Sequence, residues 1–119
     1  MIRFFYKRII QKLNLSPEQL LMLKSKLIPE AICSGPFFTE HKMCPTTTGL
    51  ALKLNVPKLD DKAEIYAQFR SFGARKIDFY LLYLVFDLPA MFSDRFFRYS
   101  LGEMKKAIDE MSYPIALVQ

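Results

Sequence analysis

The chain contains no tryptophan, a single histidine (His41), two cysteines and four glycines. Each scarcity removes a class of function. Four glycines are too few for a phosphate-cradling loop to be expected, and neither a Walker loop nor a G-x-G-x-x-G turn occurs. No H-E-x-x-H motif is present, and no cysteine pair has the close spacing of a structural zinc site. Two cysteines with no apolar leader at the N-terminus do not make a disulfide scaffold, and they point to a reducing, cytoplasmic setting. No apolar run reaches the roughly 18–20 residues of a membrane span. The longest, residues 77–86 (IDFYLLYLVF), is interrupted by Asp78 and then by Asp87. Internal repeats and low-complexity linkers are also missing. The acid pairs Asp60–Asp61 and Asp109–Glu110 fall on helix ends or solvated faces, which argues against paired-carboxylate catalysis. The balance points away from an enzyme.

What remains is material for a core. The chain has 119 residues, enough for one domain spanning 1–119. With 51% hydrophobic residues, 11 phenylalanines and 6 tyrosines, intrinsic disorder is excluded. In the longest apolar run, Ile77, Tyr80, Leu81, Leu84, Val85 and Leu88 recur at helical spacing, and the opposite side is apolar too. The expectation is an all-α bundle of five to six helices around a central apolar helix at about 77–88. The alternative is an α+β fold with strands near 49–56, 77–86 and 113–118, because Leu50, Leu52, Leu54 and Val56 alternate.

Taken in order, residues 1–13 read as a basic amphipathic helix. Ile2, Phe5, Tyr6, Ile9, Ile10 and Leu13 share one side, and Arg3, Lys7, Gln11 and Lys12 line the other. It packs on the core; a membrane-surface or partner-binding helix is the alternative. Ser16-Pro17-Glu18-Gln19 opens a second helix with a capping box and proline at its first position. Leu20, Leu23 and Leu27 form its stripe, and Pro29 ends or kinks it. The pair lacks the glycine turn and polar recognition face of a DNA-reading helix-turn-helix. Gly35-Pro36 marks a turn that Phe37-Phe38 anchors. Asp60 or Asp61 caps a helix with Ile65, Phe69 and Phe72 inward and Gly73 as its stop. Leu88-Pro89 breaks the central element. A short aromatic helix over 90–99 follows, with Ser93-Asp94 as an alternative start. Ser100-Leu101-Gly102-Glu103 is a second capping box, opening a helix to about Met111 with Met104, Ala107 and Ile108 inward. The apolar tail 113–119 contains Pro114 and reads as an edge strand or packed extension that needs burial or a partner.

Two constellations carry possible chemistry. Arg3, Lys7, Arg8 and Lys12, and separately Arg70, Arg75 and Lys76, would suit nucleic-acid phosphates, with Tyr66 as a stacking neighbour. Cations near the end of a helix are favoured electrostatically in any case. Cys33, His41 and Cys44 would suit zinc with Glu40 or water as a fourth ligand. Cys-Pro can also hold haem through its thiolate, making Cys44 and His41 candidate zinc or haem ligands. Pro45 makes Cys44 the N-cap of a helix over 46–54, where the dipole should lower its pKa. The structural alternative is a packing cysteine, which needs no cofactor. The net charge of +5 is uneven: Arg3, Lys7, Arg8, Lys12, Lys24 and Lys26 face only Glu18 within residues 1–26. These features favour a non-enzymatic interaction or regulatory module that self-associates or binds a protein partner. The alternatives are a nucleic-acid-associated protein and a cysteine-based redox, metal or haem sensor.

Overall fold

Ile2, Tyr6, Ile9, Ile10 and Leu13 recur at helical spacing, and all are buried along one side of α1 (Ile2–Leu13). A computed structural model of the chain describes residues 1–118, with side chains through residue 112. α1 ends where Asn14 takes a left-handed conformation (φ 50°, ψ 54°), one of the few that asparagine tolerates well. α2 (Pro17–Lys26) starts as its sequence predicts. Ser16 Oγ accepts from the Gln19 N–H at 3.1 Å, and the Gln19 side chain accepts from the Ser16 N–H at 2.9 Å. Leu20, Leu23 and Leu27 are buried below it.

The most enclosed helix is α3 (Pro45–Leu54), in which every residue from Pro45 to Ala51 is buried. Its run of threonines is affordable inside because the hydroxyls find local partners. Thr48 Oγ1 donates to the Cys44 carbonyl at 2.9 Å, and the Thr46 and Thr47 hydroxyls lie 3.2 and 3.1 Å from Cys44 Sγ. Gly49 lets α3 approach α1 closely. A Cβ there would lie 2.9 Å from Ile10 Cδ1 and 3.3 Å from Leu13 Cδ1. The Tyr6 hydroxyl completes this seam by donating to the Pro45 carbonyl at 3.1 Å.

α4 (Lys62–Ser71) is capped by Asp61, whose carboxylate accepts from the Ala63 and Glu64 N–H groups, and it buries Ile65 and Phe69. Gly73 follows at φ 92°, the left-handed stop that glycine serves. The long apolar run is helical, as its spacing predicts, but it is only partly enclosed. In α5 (Lys76–Leu82) and beyond, Asp78, Leu82 and Phe86 face the core at every fourth position, while Ile77, Tyr80, Tyr83 and Leu84 are exposed. The bundle is therefore centred on α1 and α3 rather than on residues 77–88.

The expected break at Leu88-Pro89 is instead a widened turn. Proline has no N–H, and its ring clashes with the carbonyl four residues back. The chain relieves this with a π segment, Tyr83–Asp87, in which the Leu88 N–H reaches the Tyr83 carbonyl five residues back. Helix then continues through α6 (Leu88–Phe92). Ser93 is extended and its Oγ accepts from the Phe96 N–H at 3.1 Å, so α7 (Asp94–Val118) starts there. This corrects the expected helix start at Ser100. With the helix already running, Ser100 is buried mid-helix and donates to the Phe96 carbonyl at 2.8 Å. Leu101, Met104, Ala107 and Ile108 form the inner stripe of α7.

The fold is all-α. Residues 49–54 and 77–86 are helical, and α7 covers 113–118, so the strands of the α+β alternative do not form. Extended pairing among the described residues is confined to the isolated bridges Ile32–Met43 and Phe38–Met43. The expected burial of the 113–119 side chains lies outside the described residues. α1 packs on α3, α5 and α7, and α2 closes the far side against α3 and α7. Among the described residues no helix is long and apolar enough to cross a membrane.

Candidate functional site

One cavity of about 530 Å³ opens where the 34–38 loop, the start of α3, and the α5–π segment meet. The loop is held by its backbone. The Cys33 N–H donates to the Met43 carbonyl at 3.1 Å, and the Cys44 N–H donates to the Phe37 carbonyl at 2.8 Å. Gly35, at φ 99°, turns its N–H onto Asp87 Oδ1 at 2.9 Å. A side chain there would be strained in conformation and would also press on Met91 Sδ, 3.1 Å from the Cβ position.

The walls are aromatic. Phe37 meets Tyr66 and Phe79 edge-on, at centroid separations of 5.0 and 5.8 Å, and Phe79 meets Phe69 at 4.9 Å. Edge-to-face contacts of this kind fix ring orientation as well as adding cohesion. Leu82 adds aliphatic surface, while the exposed Tyr80 and Tyr83 line the outer part with Lys62 and Lys76. The polar lining inside is small: Cys44, Thr46 and Asp87. Tyr83 and Asp87, the two ends of the π segment, both line the cavity. π turns inside helices recur at functional sites.

Burial sets the protonation of the inner groups. It pushes the Asp87 carboxyl up to about 6, against the Gly35 N–H that stabilises its charged form. Cys33 is pushed up to about 12, chiefly by burial and then by the neighbouring Cys44. Cys44 does sit at the N-cap of α3, accepting from the Thr47 N–H at 3.4 Å. Its pKa is nevertheless raised, because burial outweighs the Thr46 and Thr47 donors. This reverses the expectation that the helix dipole would lower it. Both thiols are protonated at neutral pH.

His41 does not join them. It is exposed, 3.8 Å from Glu40, in a separate surface depression shared with Glu30, Lys42 and Lys58. No group of three metal-capable side chains occurs among the described residues. The N-terminal cations are largely matched within the chain. Arg3 pairs with Glu110 at 3.0 Å and Glu103 at 3.4 Å, and Lys7 pairs with Glu110. Arg8 reaches Asp78 at 3.3 Å and lies over the Phe4 ring. The uneven charge of the sequence is thus balanced between α1 and α7, while Lys12 is half-buried. Arg70, Arg75 and Lys76 do come together, exposed around the Gly73-Ala74 turn, with Arg75 also 3.8 Å from Asp78.

Of the residues the sequence singles out, Cys44, Lys76 and the stacking candidate Tyr66 belong to the cavity. Asp87, Lys62, Phe37, Phe79 and Tyr83 carry no site motif in the sequence. Asp87 had one visible signal, an acid closing the longest apolar run two residues before a proline. Comparison with family models, curated proteins and solved structures gives no match to this chain.

Proposed function

We propose that this protein is a regulatory module whose cavity binds a small, flat apolar anion. The observation that carries the reading is the cavity itself: about 530 Å³, aromatic-walled, with few polar groups inside and two lysines among its lining residues. Ligand sites are commonly apolar clefts of roughly 300–1,000 Å³ with a few placed polar groups. The polarity sets the orientation. An acid half-buried beside the inner surface repels a ligand carboxylate, whereas Lys62 and Lys76 attract it at the exposed edge. The apolar body then lies against Phe37 and Phe79, and a hydroxyl or N–H at its inner end donates to Asp87.

Calorimetric titration with 6-hydroxy-2-naphthoate, 2-naphthoate and 2-naphthylmethanol tests this. Affinity should fall in that order, and Lys62→Gln with Lys76→Gln should remove the advantage of the two carboxylates. Equal binding of all three would refute the charge reading, and no saturable binding would refute the site.

A second reading is self-association. Its support is the set of exposed apolar side chains Ile77, Tyr80, Leu84, Met91 and Phe92 along α5 to α6, the last 82% exposed. Sedimentation velocity should then show a concentration-dependent dimer that Phe92→Ser weakens; a monomer across the micromolar range would refute it.

A further inference from the structure

We propose that Cys33 and Cys44 form a reversible disulfide that clamps the loop forming one wall of the cavity. The two residues are eleven apart in sequence but adjacent in space. Ile32 and Met43 pair as a parallel bridge, with Cys33 N–H donating to the Met43 carbonyl at 3.1 Å and Met43 N–H to the Ala31 carbonyl at 3.4 Å. The bridge is a single rung, and in parallel pairing the residues that follow its two members carry their side chains on a common face. Those next residues are Cys33 and Cys44. Adjacent strands lie about 4.8 Å apart, inside the Cα separation that a disulfide accepts. Both thiols are free and buried. Each is also close enough to Asp87, and Cys33 to Cys44, for their charges to disfavour one another.

The clamp would act on the site because the closed loop carries Gly35, Pro36, Phe37 and Phe38, all of which line the cavity. Cys44 lines it too, so a small oxidant entering the cavity meets that thiol first. The Thr46 and Thr47 hydroxyls and the Thr47 N–H stand ready to stabilise its thiolate. The oxidant is a low-molecular-weight disulfide. Cys44, having lost its proton to solvent, attacks one sulfur of that disulfide and expels one thiol. Cys33, deprotonated in turn, attacks Cys44 Sγ in the mixed disulfide and expels the second. Two protein S–H bonds are lost, one S–S bond forms, and the reagent is reduced to two thiols. Exchange is slow, because both thiols are buried and protonated at rest.

Incubating the whole folded protein with bis(2-hydroxyethyl) disulfide at about pH 8 tests the proposal by intact mass. The expected product has lost two hydrogens, carries no adduct, has no titratable thiol, and returns to its starting mass with dithiothreitol. Closing a loop of this length should raise Tm by about 5–10 °C. Cys33→Ser should stop at a single adduct on Cys44. An unchanged mass, or a wild-type protein carrying one or two stable adducts, would overturn the pairing. An oxidised protein that melts no higher than the reduced one would overturn the clamp.

Discussion

Asp87→Asn should stabilise this protein at alkaline pH and leave it unchanged in acid. The carboxyl sits beside an apolar cavity with the Gly35 N–H as its hydrogen-bonded partner. Burial moves its pKa from 3.8 to about 6. A raised carboxyl pKa means that the fold favours the neutral form. The resulting advantage is complete below about 3.8 and is lost as pH rises through about 6. Each tenfold change in proton affinity is worth ~1.36 kcal/mol, so ionised Asp87 costs up to about 3 kcal/mol. Solvent still reaches the group, and screening reduces this to about 2 kcal/mol. Asparagine keeps the oxygen that accepts from Gly35 and never ionises. Urea unfolding of both proteins at about pH 8 should therefore show the variant more stable by about 2 kcal/mol, a gap that closes by about pH 4. A gap of the same size at both pH values, or a variant less stable at pH 8, would refute the assigned cost of burial.

The seam between α1 and α3 makes further predictions. Gly49→Ala should lose about 1 kcal/mol despite the better helix propensity of alanine, because the new methyl meets Ile10 and Leu13, both fully buried; thermal unfolding reads the sign. Tyr6→Phe should cost about 1 kcal/mol by removing the buried hydrogen bond from its hydroxyl to the Pro45 carbonyl, seen as a lower urea midpoint with unchanged slope. Hydrogen bonds from Lys7 and then Arg3 hold the Glu110 carboxyl below its usual range. That contribution is present above about pH 4.5 and fades as the pH falls, so Glu110→Gln should flatten the acid limb of a stability–pH curve. Added salt should weaken the same pairs, which are partly exposed.

The fold was legible where a rule is local. The buried side of α1, the capping box at Ser16, the Asp61 cap and the Cys44-Pro45 helix start each follow from residues within one or two turns. Local rules failed where a distant partner decides. Pro89 reads as a stop, but the clash it creates is absorbed upstream by a π turn that no spacing announces. Ser100 and Glu103 match a capping box, yet Ser93 had already started the helix, and Glu103 instead serves Arg3. The centre of the bundle was hidden for a related reason. Thr46-Thr47-Thr48-Gly49 looks polar until its hydroxyls are seen to bond within their own turn and its glycine to lie against α1. The cavity was least legible of all. It joins residues from four separate stretches between Gly35 and Asp87, and no motif links them. Cys44 was found by its helix-start signature, but its pKa direction depends on burial, which the sequence does not display.

The most direct test of the cavity as a ligand site is amide mapping by ¹H–¹⁵N NMR during titration with 6-hydroxy-2-naphthoate. The account predicts saturable shifts confined to Gly35, Phe37, Cys44, Thr46, Phe79, Tyr83 and Asp87, with the same residues moving less for 2-naphthylmethanol. Shifts centred on Met91 and Phe92, or scattered over the exposed apolar residues without saturation, would contradict it.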